Sequence, residues 1–244
     1  MIKNRRGELT TKHLVTIMVL IVSFIIVLFL LFRLNLGETT DDEICRNSVM
    51  LRGQSKLVSG PIDCRTNYLC VSGGGECEGK SPKLSVNPNS KNEVMKAIAD
   101  EMSSCWFKFG EGEVNYGGGF ISTSVHCGIC SIIEFDENIQ ENFPTITYSE
   151  FYEFLQTNKK EATQSYLDYL YGVNSVASLD VQSQFKINIS EDNILTGERY
   201  SVITGVDNEL GLGGVRRDEI LKVYPVLTSK TSSKTSCKEF ITKA

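Results

Sequence analysis

The residues best equipped for chemistry stand together as His126-Cys127-Gly128-Ile129-Cys130. A cysteine pair at this spacing suits a dithiol redox centre or half of a zinc site. A redox centre needs its first cysteine at a helix N-terminus, where the thiol pKa falls. The residues that follow, Ser131-Ile132-Ile133-Glu134-Phe135, read as a strand instead, and the sequence shows no strand–helix–strand pattern around them. Zinc could take Cys127 and Cys130, with His126 and Cys105 as further ligands. No second C-x-x-C and no spaced histidine pair accompanies them. The remaining reading is two structural half-cystines entering a strand, and the surroundings favour it.

The other six cysteines are Cys45, Cys64, Cys70, Cys77, Cys105 and Cys237. An even total suits a disulfide framework in an oxidising compartment, although four bridges allow 105 connectivities. Cys45, Cys64, Cys70 and Cys77 cluster in a stretch rich in Gly, Ser and Asp, with little apolar periodicity. That stretch is expected to be stapled by two internal bridges. Cys105, Cys127, Cys130 and Cys237 form the second group, with Cys237 tying the tail back.

Other catalytic constellations are thin. The two histidines are His13 and His126. A Ser-His-Asp or Cys-His site beyond the first segment would have to use His126, yet adjacent strand residues point to opposite faces, so His126 and Cys127 pair poorly. Glu134 and Asp136 would share one strand face, the ordinary wet side. Glu111 to Gly119 is glycine-rich but lacks the Lys and Ser/Thr of a phosphate loop, and its acids would repel phosphate. The alternating acids of a calcium loop are absent. Asn188-Ile189-Ser190 is a glycosylation sequon. Nothing here implies a cofactor, and the sequence gives no ground for assigning an enzyme.

The elements that carry these residues read as an α+β domain. Ser90 and Glu93 make a capping box, followed by Val94, Ile98, Met102, Cys105 and Phe109 at helical spacing. This predicts a helix over 91–109, with Trp106 in the core. Residues 125–136 read as a strand. Thr147 and Glu150 start another helix, and a third around Tyr166–Tyr171 is closed by Gly172. The aromatics of this segment, Tyr148, Phe151, Tyr152, Phe154, Tyr166, Tyr169 and Tyr171, suit a core; a binding surface is the alternative. Alternation around 181–189, 200–203 and 220–226 predicts three more strands and an antiparallel sheet with one wet face. A glycine-rich loop, 209–215, lies between the last two.

Residues 14–32 read LVTIMVLIVSFIIVLFLLF, a run without charge. About twenty such residues span a bilayer core. Lys3, Arg5, Arg6 and Lys12 precede it. Residues 1–36 hold five Lys/Arg against one Glu, or +4; the remaining 20 against 29 give -9. The positive-inside rule then puts the N-terminus in the cytoplasm. A cleaved signal peptide would have a shorter apolar core and small residues at its end. Arg5-Arg6-Gly7-Glu8 resembles the processing site of archaeal pilins and archaellins, cut after the glycine; that family expects Glu where Lys12 stands. The overall charge of -5 argues against nucleic acid as a partner.

Cys105-Trp106, Phe109-Gly110-Glu111-Gly112 and Cys127-x-x-Cys130-x-Ile132-x-x-Phe135-Asp136 together resemble a set of uncharacterised single-pass archaeal membrane proteins of small-genome lineages. The Arg-Gly-Glu-Leu-Thr-Thr stretch before the apolar run is similar too. The resemblance implies a cell-surface domain and supplies no mechanism.

The expected organisation is a basic cytoplasmic tail (1–13), a transmembrane helix (14–36), a small cysteine-rich segment (37–80), a linker (81–89), an α+β extracellular domain with two or three packed helices (90–227), and a Ser/Thr/Lys-rich tail tethered by Cys237 (228–244). The expected partners are the lipid bilayer and another envelope or cell-surface protein. The expected role is structural or interactive, with a pilin-like subunit or a thiol-redox or metal protein as alternatives.

Overall fold

A computed structural model describes residues 11–33, 41–54, 62–77, 84–117, 125–179, 192–208, 219–230 and 237–242. The chain forms two compact units, Met1–Thr40 and Asp41–Ala244. The first contains helix α1 (Thr11–Arg33). Every side chain described on it, 13–27, is exposed. Among the described residues, no helix is long and apolar enough to cross a membrane, and the transmembrane helix expected over 14–36 is not supported by them.

The second unit runs α2 (Asp41–Gln54), β1 (Asn67–Val71), β2 (Leu84–Val86), α3 (Lys91–Lys108), β3 (Val125–Phe135), α4 (Glu137–Asn142), β4 (Thr145–Thr147), α5 (Tyr148–Thr157), α6 (Tyr166–Tyr171), β5 (Asn193–Leu195), β6 (Tyr200–Asp207), β7 (Glu219–Leu227) and β8 (Glu239–Phe240). The main sheet has the order β2-β1-β3-β6-β7, with β8 also on β3; β4 and β5 pair apart.

The domain is α+β, but its sheet is mixed rather than antiparallel. β3 pairs antiparallel with β6, and β6 with β7, as alternation suggested. β1, however, lies parallel to both β2 and β3. A parallel pair needs a crossover, and α3 lies on the one that reaches β3. A strand–helix–strand unit therefore does surround Cys127 and Cys130. Two expected boundaries change with it. The cysteine-rich segment is not a separate module, because its β1 lies inside the main sheet. The 81–89 linker contains β2. Both strands are short and pair only with distant sequence, so periodicity had little to report.

The local signals elsewhere work as their chemistry requires. Ser90 caps α3 by accepting from the Glu93 N–H at 3.3 Å, and the Asn89 N–H donates to the Glu93 carboxylate. Thr147 and Glu150 form a reciprocal capping box on α5. Gly172 closes α6 with φ 69°. Tyr148, Phe151, Tyr152, Phe154, Tyr166 and Tyr171 are all buried, so this aromatic segment is core. Two of its hydroxyls also serve the edge strand. Tyr148 donates to the Pro225 carbonyl at 2.9 Å and Tyr171 to the Val223 carbonyl at 2.8 Å. Pro225 has no N–H to offer, so β7 is a poor template for further strands. Trp106 is buried beneath the Lys222 ammonium, 4.7 Å from the ring centre. The expected strand at 181–189, the sequon at Asn188 and the 209–215 loop lie outside the described residues.

Candidate functional site

β3 carries the motif that drew attention first, and its geometry decides what the motif can do. Side chains three apart on a strand point to opposite faces. Cys130 faces α3 and is bridged to Cys105; Cys127 is bridged to Cys237. The two sulfurs of the C-x-x-C therefore have different, distant partners. The redox-pair and zinc readings fail for that reason, since neither thiol is available to the other or to a metal. Among the described residues no cluster of three His, Cys, Asp or Glu could hold an ion. Cys45 is bridged to Cys64 and Cys70 to Cys77, which completes four bonds with no free cysteine.

The sequence around the motif is shaped by packing. A side chain at Gly128 would come within 2.2 Å of the Phe109 ring. One at Gly205, opposite Cys127, would meet the Cys127 sulfur at 3.0 Å. The register of β3 against β6 shifts between Ile129 and Ser131. This bulge turns both Cys130 and Ser131 inward. His126 is buried, with Nδ1 3.1 Å from the Glu239 carboxylate of β8. Burial lowers its pKa, and Glu239 opposes that effect only in part.

A concavity lies at the other end of β3. A cleft of about 530 Å³ opens at the carboxyl ends of the parallel strands β1 and β3, the position where ligands sit in parallel sheets. Glu76, Glu134, Asp136, Asn138, Glu198 and Arg199 are among its walls. Asp136, expected on the wet face of a strand, is instead buried and organises the loop after β1. Its carboxylate accepts from the N–H groups of Gly73 at 2.9 Å, Gly75 at 2.7 Å and Ile139 at 2.9 Å. The Ser72 hydroxyl lies 3.1 Å from it and also accepts from the Gly74 N–H at 3.0 Å. Burial alone would raise this carboxyl; the hydrogen bonds outweigh it and hold the pKa below the usual range. A side chain at Gly75 would come within 2.8 Å of the carboxylate, which is why the loop is glycine-rich. Glu134 is paired with Arg199 at 2.8 Å, and the Thr196 hydroxyl donates to the Phe143 carbonyl.

Among the described residues, the lining of this cleft includes no His, Cys, Ser or Lys. Its carboxylates outnumber its single cation, and the most buried of them is fixed in its ionised form. The arrangement can bind a polar or cationic group.

Sequence reasoning missed a buried charge network. Glu101 and Lys108 are buried on α3, and the Lys108 ammonium reaches Asp42 of α2 at 2.9 Å. Burial raises the Glu101 carboxyl, against the attraction of Lys108. The signal was present: Glu101 falls in the helix turn between Ile98 and Cys105, within the apolar stripe. Comparison with protein-family models, with curated proteins and with solved structures finds no match to this chain.

Proposed function

We propose that this protein is a single-pass, membrane-anchored cell-surface protein whose disulfide-stabilised domain acts by binding another envelope protein. The observation that carries this reading is α1. From Leu14 to Val27 its large apolar side chains are each at least 48% exposed. An apolar surface of that extent, on all sides of a helix, needs lipid or protein around it. The uncharged run of nineteen residues, 14–32, has the length of a bilayer span. The +4 charge of the first 36 residues against -9 beyond sets the orientation, with the second unit outside. Four disulfides, all within the second unit, agree with an oxidising compartment. The engaged motif cysteines and the acidic cleft support a binding role. The archaeal surface proteins with the same cysteine and glycine pattern would be its kin.

The test is fractionation of native membranes. The chain should resist alkaline carbonate extraction, and protease added outside intact cells should digest the second unit. Release into the soluble fraction would overturn the reading. A pilin-like subunit is the second reading, favoured by Arg6-Gly7-Glu8 directly ahead of α1. It requires a mature N-terminus at Glu8, which mass spectrometry of the same sample reads.

A further inference from the structure

β3 has two edges. β6 covers one along Val125–Ile133. The other is divided, with β1 on Ser131 to Phe135 and β8 on His126 and Cys127. β8 is a two-residue strand with both residues exposed, Phe240 by 39%. The ladder pairs Glu239 with His126 and Phe240 with Cys127, and three further hydrogen bonds flank it. The Lys238 and Ile241 N–H groups donate to the carbonyls of Val125 and Cys127 at 3.0 and 2.9 Å, and the Thr242 hydroxyl accepts from the Ile129 N–H at 3.0 Å. The Cys127–Cys237 bond tethers it covalently, and the Glu239 carboxylate lies 3.1 Å from the His126 imidazole. The acceptor side differs sharply, because Val125, His126 and Cys127 are buried and fixed by β6. Those backbone groups need a partner strand once β8 leaves. Thr228–Lys230 is a turn held to the sheet through the Arg199 carbonyl and the Ser201 hydroxyl, and residues 231–236, TSSKTS, contain no apolar side chain. Six extended residues reach up to about 20 Å.

The geometry points to β8 as an exchangeable strap that two copies of this chain trade, so that Cys127 of each copy is bridged to Cys237 of the other. The occupant is a second copy, because the slot couples a parallel strand to a cysteine in one register, and residues 237–242 already fit it. From the anchored reading the proposal takes only that copies share a surface, which raises their effective concentration. The chemistry is thiol–disulfide exchange with no net oxidation. A glutathione thiolate attacks the half-buried Cys237 sulfur, forming a mixed disulfide and releasing the Cys127 thiolate. Freed of its strap, that thiolate attacks Cys237 of the other copy's mixed disulfide and expels glutathione thiolate. Two bonds within chains become two bonds between chains.

The full-length chain is purified from detergent in two nitrogen-isotope forms, mixed in equal amounts and incubated with glutathione. It is then quenched by alkylation and digested without reduction. Mixed-isotope Cys127–Cys237 peptide should rise from none towards half of that pair, while Cys45–Cys64 and Cys105–Cys130 stay within one isotope. A disulfide-linked dimer should appear on non-reducing gels and be absent in Cys237→Ser. Same-isotope pairs alone, whether the bond opens or not, overturn the proposal. So does scrambling of all four bonds, which would mean unfolding. The isotope readout does not depend on membrane insertion, so failure of the anchor leaves it intact.

Discussion

At its amino end β3 is pinned by sulfur, with Cys127 and Cys130 tied to a tail on one face and to α3 on the other. At its carboxyl end it runs into Asp136, and one carboxylate gathers the Gly73–Gly75 loop and the start of α4. The first arrangement suits partners brought from far along the chain, such as a tail with few apolar contacts. The second suits glycine backbone, which has no side chains to pack and many N–H groups to satisfy. The amino end answers to redox state through its two bonds, while at the carboxyl end an ionised carboxylate adds pH sensitivity to a loop that the Cys70–Cys77 bond also closes.

The largest effect is expected at the amino end. Cys105→Ser with Cys130→Ser removes a fully buried bond spanning 25 residues. Loop entropy alone suggests about 3.5 kcal/mol, and two buried hydroxyls add to it. Urea unfolding should show a loss of about 4 kcal/mol, with no change in the pH profile.

At the carboxyl end, Asp136→Ala strands the N–H groups of Gly73, Gly75 and Ile139. Bonds to a charged acceptor contribute about 1.5–3 kcal/mol each and do not add fully. A loss of about 3 kcal/mol is expected, and the cleft loses its wall. The same carboxylate sets a pH signature. Its folded pKa lies below the unfolded value. Its contribution is therefore complete above the unfolded carboxylate pKa, about 3.9, and is lost as pH falls through the folded one. Urea titrations from neutrality downward should show that loss in the parent and not in Asp136→Ala. Equal acid sensitivity in both would remove Asp136 as the cause.

The contrast also explains what the sequence could tell. The antiparallel half was legible because 200–203 and 220–226 are rich in strand-forming apolar residues and because Ser90, Thr147 and Gly172 are local signals, although β6 is buried on both faces where one wet face was expected. The structural role of the C-x-x-C was legible from the strand that follows it, but its pairing was not, since four bridges allow 105 connectivities. The parallel half was not legible: Asn67–Val71 is five residues long, β2 is three, and the main partner, β3, lies some sixty residues further on. Asp136 looked like one acid of a wet strand because the loop it binds lies some sixty residues earlier. The cleft inherits both blind spots, since the loops after β1 and β3 build it.

A smaller effect tests how tightly the amino end is packed. Gly128→Ala places a methyl 2.2 Å from the Phe109 ring, between the two motif cysteines. Overpacking of this kind costs about 1–3 kcal/mol. A drop of about 2 kcal/mol in urea unfolding is expected, and the double change with Phe109→Leu should recover part of it. If the two changes simply add, the ring is not the obstacle.

The smallest effect concerns Glu111, which holds a left-handed φ of 54° between Gly110 and Gly112. The strain is kept by the side chain. Arg46 donates to one carboxylate oxygen and the Tyr169 hydroxyl to the other, both at 2.7 Å. These groups are partly exposed, so the ion pair contributes little. Glu111→Ala loses both partners and keeps the strain. Glu111→Gly loses both and relieves it, by about 1 kcal/mol. Glycine should therefore come out more stable than alanine by about 1 kcal/mol and close to the parent in thermal unfolding. Two equally destabilised variants would show that Arg46 and Tyr169, rather than the turn, account for the glutamate.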